Sequence, residues 1–482
     1  MPEKIDYDEI GFKSGIEVHQ QLNTHKLFCD CPSLLRKDEP DFTIERKLHA
    51  VAGESGEVDE AASYQASLNQ NFFYQGYNDT TCLIELDEEP PHEINPEALK
   101  IALQISLLLN AKIVPITQIM RKTVIDGSNT GGFQRTVLIA KKGYIETSQG
   151  NIGIETICLE EDAARIISKE ENKSVYRLDR LGIPLIEIVT SPEIKTAEQV
   201  KEVALYIGEI LRSCNVRRGI GTIRQDVNVS IKKGERVEIK GFQDPAMMIE
   251  TVNKEIIRQK NIISKGKKVE KEVRNALPDG STEFLRPMPG AARMYPETDL
   301  ELLKISRDMI NNSKKDLPKL RKDIEGELKL IGLNEEMIKL LFKENMLEDF
   351  KELILVLENP SLVAKILLVF PKEIASHSKK DISEVKKIFN RDILIFVLES
   401  IKKKKINEFQ VKQVLERILA GESIEKSILF DSDFDSIEEK IIKIIKDKPG
   451  LAMNAYMGIA MKEFAGKISG KEIAEIIKKH IN

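Results

Sequence analysis

No tryptophan occurs in the 482 residues, aromatic side chains make up only 5%, and there are five cysteines. An odd handful of thiols spread over this length makes no disulfide framework and points to a reducing, cytoplasmic setting. Long apolar runs are missing too. The stretch 101–109 falls well short of the ~20 residues that cross a bilayer, and the acidic residues 1–10 lack the pattern of a secretory signal. Nor is there an excess of positive charge: 73 basic residues face 78 acidic ones, for a net charge of -5. Attraction to a polyanion is therefore not a property of the whole chain, and any nucleic-acid surface has to be local. No GxxxxGK[ST] run is present, which removes the P-loop as a route to nucleotide.

What is present is enough apolar material, 41%, for more than one core. Across 11–300, short alternating runs separated by Gly and Pro predict strands at 15–22, 153–159, 182–189, 221–231 and 236–239. Helical spacing predicts helices over 96–109 and, behind a Thr cap, over 196–211. After residue 299, Gly and Pro thin out and Lys, Glu, Leu and Ile recur three and four apart. The expected fold is α+β. A mainly antiparallel β-sheet domain over 1–304 precedes an all-helical domain over 305–420 and a small helical tail over 421–482, with a last helix pair at 453–464 and 470–480.

The strands carry chemistry on one side. In IEVHQQ (16–21), the two-residue period puts Glu17, His19 and Gln21 on one face and Ile16 and Val18 on the other. DVNVSI (226–231) repeats the division with Asp226, Asn228 and Ser230, and EIK (238–240) with Glu238 and Lys240. One such strand is ordinarily a solvated face. Two further acidic groups argue for more. Glu160, Glu161 and Asp162 follow an apolar run and open a helical-looking AARII (163–167), and Glu187 sits inside the nearly apolar IPLIEIV (183–189). Oxygen ligands with one imidazole suit Mg²⁺, so His19, Glu161 and Glu187 are the metal candidates. A salt bridge to Arg165, Arg177 or Arg180 is the structural alternative for Glu187.

Two loops have backbone that can approach phosphates or simply turn: GSNTGG (127–132), with Ser128 and Asn129, and PMPG (287–290), flanked by Arg286 and Arg293. Cys29, Cys31 and Cys82 offer three thiolates where a structural zinc wants four ligands. His25 or His49 could complete the set; buried free thiols are the alternative.

Long motifs now carry a resemblance. GIEVHQQLNTHKLFCDCPS (15–33), ELDEEPPHEINPEAL (85–99), RKTVIDGSNTGGFQRT (121–136), CLEEDAARI (158–166), YRLDRLGIPLIEIVTSP (176–192), RRGIGTIRQDVNVSI (217–231), VEIKGFQD (237–244) and PDGSTEFLRPMPGAARMYPETD (278–299) resemble the archaeal E-type subunits of glutamyl-tRNA(Gln) amidotransferase, a family related to the bacterial B-type subunits. GLAMNAYMGIAMKEFAGKISGKEIAEII (450–477) is similar to the tail shared by both types, which the resemblance implies contacts tRNA. The family's usual insertion, resembling a domain of aspartyl-tRNA synthetases, has no room between 261 and 275.

The resemblance implies a cradle-like catalytic domain and a ligase. ATP phosphorylates the γ-carboxylate of Glu-tRNA(Gln), and ammonia then displaces the phosphate to give Gln-tRNA(Gln). Mg²⁺ on His19, Glu161 and Glu187 would align the phosphate. Glu17, Arg224, Asp226, Asn228, Glu238 and Lys240 are the catalytic candidates. Arg224 and Lys240, with Arg286 and Arg293, would hold the triphosphate or developing charge; Asp226, Asn228, Glu238 and Glu297 would serve a second metal or ammonia. Ser128 and Asn129 are the further ATP-binding candidates. No glutaminase nucleophile with its base is evident. Ammonia is therefore expected from an asparaginase-like glutaminase partner, the D-type subunit, in a hetero-oligomer. The competing readings are a non-catalytic tRNA-binding subunit and a bacterial B-type subunit.

Overall fold

The computed structural model describes residues 5–480 apart from 51, 53–55, 59, 243, 289–293, 345, 431–433 and 465–469. It divides into two units, Met1–Arg321 and Lys322–Asn482. In the first, an eleven-stranded sheet is built from β1 (Lys13–Gln21), β2 (Ile119–Thr123), β3 (Phe133–Thr147), β4 (Gly150–Glu161), β5 (Pro184–Thr190), β6 (Ile223–Ser230), β7 (Val237–Lys240), β8 (Glu272–Ala276), β9 (Thr282–Pro287) and β10 (Met294–Pro296). Their order is β9-β8-β7-β6-β1-β5-β4-β3-β2-β10, and the short strand Lys112–Ile113 pairs with β3.

Every pairing in this sheet is antiparallel except β7 with β8, which are joined by the helix Met247–Ser264 as a parallel crossover. Antiparallel sheets can leave one face open to solvent. Here one face is closed by the helices Pro96–Leu108 and Ala197–Ser213. Asn95 caps the first, accepting from the amides of Glu97 and Ala98 at 2.9 and 3.0 Å, with Pro96 entering at the position where its missing N–H costs nothing. Thr196 caps the second by accepting from Gln199 N at 3.1 Å. Val200, Val203, Ile207 and Leu211 of that helix lie in one core with Ile16, Val18, Val227 and Ile239 of the sheet. At ~1.5–3 kcal/mol per buried aliphatic side chain, this face fixes the strand register, and the residues between are turned to the open face.

A four-stranded sheet, Phe42–Arg46, Asn71–Gly76, Lys173–Arg177 and Arg165–Lys169 in spatial order, has a small core of its own around Phe72, Tyr74, Tyr176 and Leu178. The helix expected at 163–167 is part of this sheet. β-branched Ile166 and Ile167 favour a strand, and the segment pairs with Lys173–Arg177.

In the second unit, the described residues form helices, from Arg321–Leu330 to Gly470–His480, and no strand. Asn334, Asn359, Asp381 and Asn390 cap four of them with their side chains. One core runs from Leu328 to Ile428 and another from Ile441 to Ile477. Among the described residues no helix is long and apolar enough to cross a membrane.

Candidate active site

The open face of the sheet gathers its polar residues around β1. Glu17 and His19 point away from Ile16 and Val18, and the register sets Glu187 of β5 directly across from His19. His19 Nε2 lies 3.2 Å from Glu187 Oε2 and 3.3 Å from Glu17 Oε1. On the other flank, β6 sets Asp226 opposite Glu17, and β7 sets Glu238 opposite Asn228. Lys240 Nζ ties this half together, 2.5 Å from Asp226 and 2.6 Å from Glu238. Burial opposes ionisation of Glu238, but Lys240, with Arg286 and Arg236 behind it, holds its carboxyl below the ordinary range. Asn228 Oδ1 is buried there with no hydrogen-bond partner among the described residues, so its carbonyl oxygen is an acceptor in want of a donor or a cation.

The half beyond Glu187 is supplied by residues that the sequence reading passed over. Lys122 Nζ of β2 lies 2.5 Å from Glu160 and 3.6 Å from Glu187. Gln134 of β3 donates to the Glu160 carboxylate at 3.0 Å and to the Glu161 carbonyl at 2.7 Å. Ligand atoms of His19, Glu160 and Glu187 lie within 4.8 Å of one another, as do those of Glu17, His19 and Asp226. One imidazole among carboxylates is the donor set of a hard divalent cation, and these residues fit one.

At direct ion-pair distance carboxylates outnumber cations among the described residues: Glu17, Glu160, Glu187, Asp226 and Glu238 share Lys122, Lys240 and His19, with Arg236 and Arg286 behind Glu238. Burial, and then the Glu187 charge, push the Glu17 carboxyl up to about 7. Burial disfavours a charged His19 ring, yet the Glu187 hydrogen bond and the Glu17 and Glu187 charges outweigh it and raise the ring above its ordinary value. Protons and a cation thus compete for the same atoms.

Glu161 stands apart from His19 and Glu187. One residue beyond Glu160 on β4, it turns to the face that packs Leu159 into the core, so strand alternation puts Glu160 beside His19 and Glu187 instead. There it accepts from the Arg135 amide at 3.2 Å and pairs with its guanidinium at 3.4 Å. Arg135 also holds Glu297 at 2.8 Å, and Arg121 grips Glu297 with two bonds of 2.6 and 2.8 Å. Ser128 and Asn129 lie on the same side: Asn129 lines a small cavity with Glu161, Glu85 and Arg135, and the Ser128 carbonyl accepts from Ala164 N at 2.8 Å. None of the three arginines considered for Glu187 serves it. Arg165 pairs with Asp179, Arg177 donates to Gln75, and Arg180 donates to the carbonyls of Ala163 and Ala164. Arg224, opposite His19 in register, donates to Asp162 at 2.9 Å. Arg293 lies outside the described residues.

The thiols do converge. Cys29, Cys31, Cys82 and Glu85 bring four ligand atoms within 4.8 Å. Glu85, not a histidine, is the fourth member: it accepts from Cys29 Sγ at 2.9 Å and from Cys82 N at 2.7 Å. His25 Nδ1 instead faces the Cys29 carbonyl at 3.0 Å, and His49 lines another pocket. The neighbouring Cys29 and Cys82 thiols hold the Cys31 thiol below its ordinary value, toward the thiolate that binds a metal. The fully buried Lys26, 2.9 Å from Glu85, supplies counter-charge.

Residues 12–311 match the family described as the GatB/GatE catalytic domain. Over its full length the chain is similar to proteins named as E-type subunits of glutamyl-tRNA(Gln) amidotransferase. That of Methanocaldococcus jannaschii is 35% identical, with 99% of each chain covered. That of Methanosarcina acetivorans is 34% identical, covering 100% of this chain and 99% of the relative, and that of Pyrobaculum neutrophilum is 32% identical, covering 98% and 100%. The alignment to the Methanocaldococcus protein extends over 631 positions against 482 residues here, so a long stretch of that relative has no counterpart in this chain.

Proposed function

Since the chain belongs to the GatB/GatE family, we propose that the acidic face around His19 is where the γ-carboxyl of a tRNA-bound glutamate is activated with ATP and amidated. The chain is an ATP-dependent glutamyl-tRNA(Gln) amidotransferase subunit of the E type. The observation that carries the assignment of the site is the meeting of His19, Glu187 and Glu160 on one open face with more carboxylates than cations.

His19, Glu187 and Glu160 would hold the cation on one side, and Glu17 and Asp226 on the other. A divalent cation there, Mg²⁺ by the hardness of its ligands, supplies neutralisation of phosphate oxygens during transfer to the carboxylate. Lys240 and Arg286 present fixed positive charge to the same oxygens, and Asn228 Oδ1 accepts from incoming ammonia. Ammonia attacking an acyl phosphate must shed a proton, and a carboxylate of this face that the cation leaves free would take it.

Cys29, Cys31, Cys82 and Glu85 would hold a zinc ion that ties the 29–31 loop to the 82–85 turn, a structural role. Ammonia comes from an asparaginase-like glutaminase partner, the D-type subunit, as the resemblance of the sequence motifs implies. The tail 421–482 grips tRNA: between 441 and 482 eight lysines stand against four acidic residues, within an acidic chain. The whole works in the cytoplasm.

The test uses the purified chain with ATP, Mg²⁺, Glu-tRNA(Gln) and ammonium chloride. Gln-tRNA(Gln) is expected to form, to require ATP, and to vanish in His19→Ala with tRNA binding intact. Full activity of His19→Ala would remove the assignment.

A further inference from the structure

At the end of the same strands, beside His19, the balance of charge reverses. Asp162 is buried and fully engaged. Its Oδ1 accepts from Arg224 at 2.9 Å and from Ala163 N at 2.9 Å, while Oδ2 accepts from Gln21 at 2.6 Å and faces Arg180 Nε at 3.8 Å. Arg217 joins from the adjoining loop. Its amide donates to the Gln21 carbonyl at 3.0 Å, its own carbonyl accepts from Gln20 at 2.9 Å, and its guanidinium donates to the Ser33 carbonyl.

Two guanidiniums, Arg224 and Arg180, therefore share one carboxylate, and Arg217 lies within reach of its charge. The next carboxylate, Asp179, is already paired with Arg165 at 2.6 Å. Pinning Asp162 needs only one of these arginines, and the others leave positive charge in excess beside it. Consistent with that excess, burial holds the Arg180 and Arg217 guanidiniums below their ordinary values despite Asp162. The cluster is also reachable: the Arg180 and Arg224 side chains keep 24% and 39% of their surface exposed. The remaining N–H groups of Arg217 and Arg224 meet no acceptor among the described residues.

We infer that Arg180, Arg217 and Arg224, held around Asp162, form a binding site for the phosphate groups of a nucleotide, directly beside the acidic centre. Planar guanidinium forks match phosphate oxygens in pairs, and Asp162 fixes them in advance so that little order is lost on binding. The acidic face cannot by itself retain a polyanion, whereas Arg224, in register with His19, places positive charge one strand spacing away. The inference rests on the proposed function in requiring that a nucleotide substrate come to this face. The phosphate has two sources of the same chemistry: the polyphosphate of ATP, or the phosphodiesters at the 3′ end of the tRNA.

Binding of inorganic tripolyphosphate to the whole chain, measured by calorimetry without tRNA, reads the site independently of amidation. Arg217→Ala is expected to weaken it about tenfold or more, and Arg217→Lys, which keeps the charge and a donor for Ser33, to weaken it less. Steady-state amidation then separates the sources. A raised KM for ATP with an unchanged KM for Glu-tRNA assigns the site to the triphosphate, and the reverse pattern assigns it to the RNA end. Tripolyphosphate affinity and both KM values unchanged in Arg217→Ala and Arg217→Lys would overturn the inference. Absence of ATP-dependent amidation by the wild-type chain would instead count against the proposed function.

Discussion

Glu160 and Glu161 are consecutive residues at the end of β4, both buried, and they finish in opposite kinds of surroundings. Glu161 enters a closed set in which Arg135 serves it and Glu297, and Arg121 serves Glu297 again. Glu160 enters an open set in which it shares a single ammonium, Lys122, with Glu187, and Glu187 in turn leans on His19. In the first arrangement each glutamate has a guanidinium partner. The second is short of positive charge and faces the open side of the sheet. Composition does not tell these apart; the direction of one peptide unit does.

The comparison can be broken most decisively on the open side. His19→Ala or Glu187→Ala should lower amidation by roughly 100-fold or more, and Glu160→Gln should weaken Mn²⁺ binding read by electron paramagnetic resonance. Glu161→Gln should leave Mn²⁺ affinity near that of the wild type; equal loss in the two glutamine variants would erase the distinction. On the closed side, Arg135→Ala leaves the buried Glu161 without its guanidinium, while Glu297 keeps Arg121. It should cost about 3–5 kcal/mol of stability in urea unfolding. A variant with normal stability and lost cation binding would move Arg135 into the active centre.

The smallest effect is a pH slope. Glu17, pushed up to about 7 from an ordinary 4.5, prefers its proton in the folded chain, and the raised His19 prefers its proton too. Their contribution to stability is therefore full below the unfolded values and is lost as pH rises through the folded ones. The melting temperature of the cation-free chain should fall by a few degrees between about pH 4.5 and 7, the Glu17 window, and His19 extends the fall above 6.5. Mg²⁺ should flatten that slope, and Glu17→Gln should reduce it. A slope unaffected by either would mean that other groups carry it.

Much of the sheet was legible because burial on one face leaves a two-residue signature. The predicted strand at 182–189 is found at Pro184–Thr190, and the face with Glu17, His19, Asp226 and Glu238 follows from alternation alone. The difference at 160–161, where Glu160 rather than Glu161 lies beside His19 and Glu187, has the same root. Reading a helix from residue 163 ended the alternation too early; carried on from Cys158, opposite Glu187, it selects Glu160. Lys122, Gln134 and Glu85 stayed hidden for another reason. Lys122 and Gln134 lie on strands and Glu85 in a turn, but the partner of each is 38, 26 or 56 residues away in the chain, a distance that no local pattern spans. The helical unit was legible in kind, since its spacing is helical throughout, while its division into cores depends on which apolar stripes meet.

The parallel pair β7 and β8 has a consequence for how such a chain tolerates change in size. The polypeptide leaves the sheet through the helix Met247–Ser264 and returns to the neighbouring strand by way of 265–271, where Val269 alone is buried and Gly266 adopts a positive φ in open space. Since both ends of that connection are anchored by pairing and packing elsewhere, its length is set by neither. Closing a longer excursion there costs only slowly growing entropy. It is a splice point: a whole folded module can be carried there, or dropped, without shifting the register of any strand that bears the active centre.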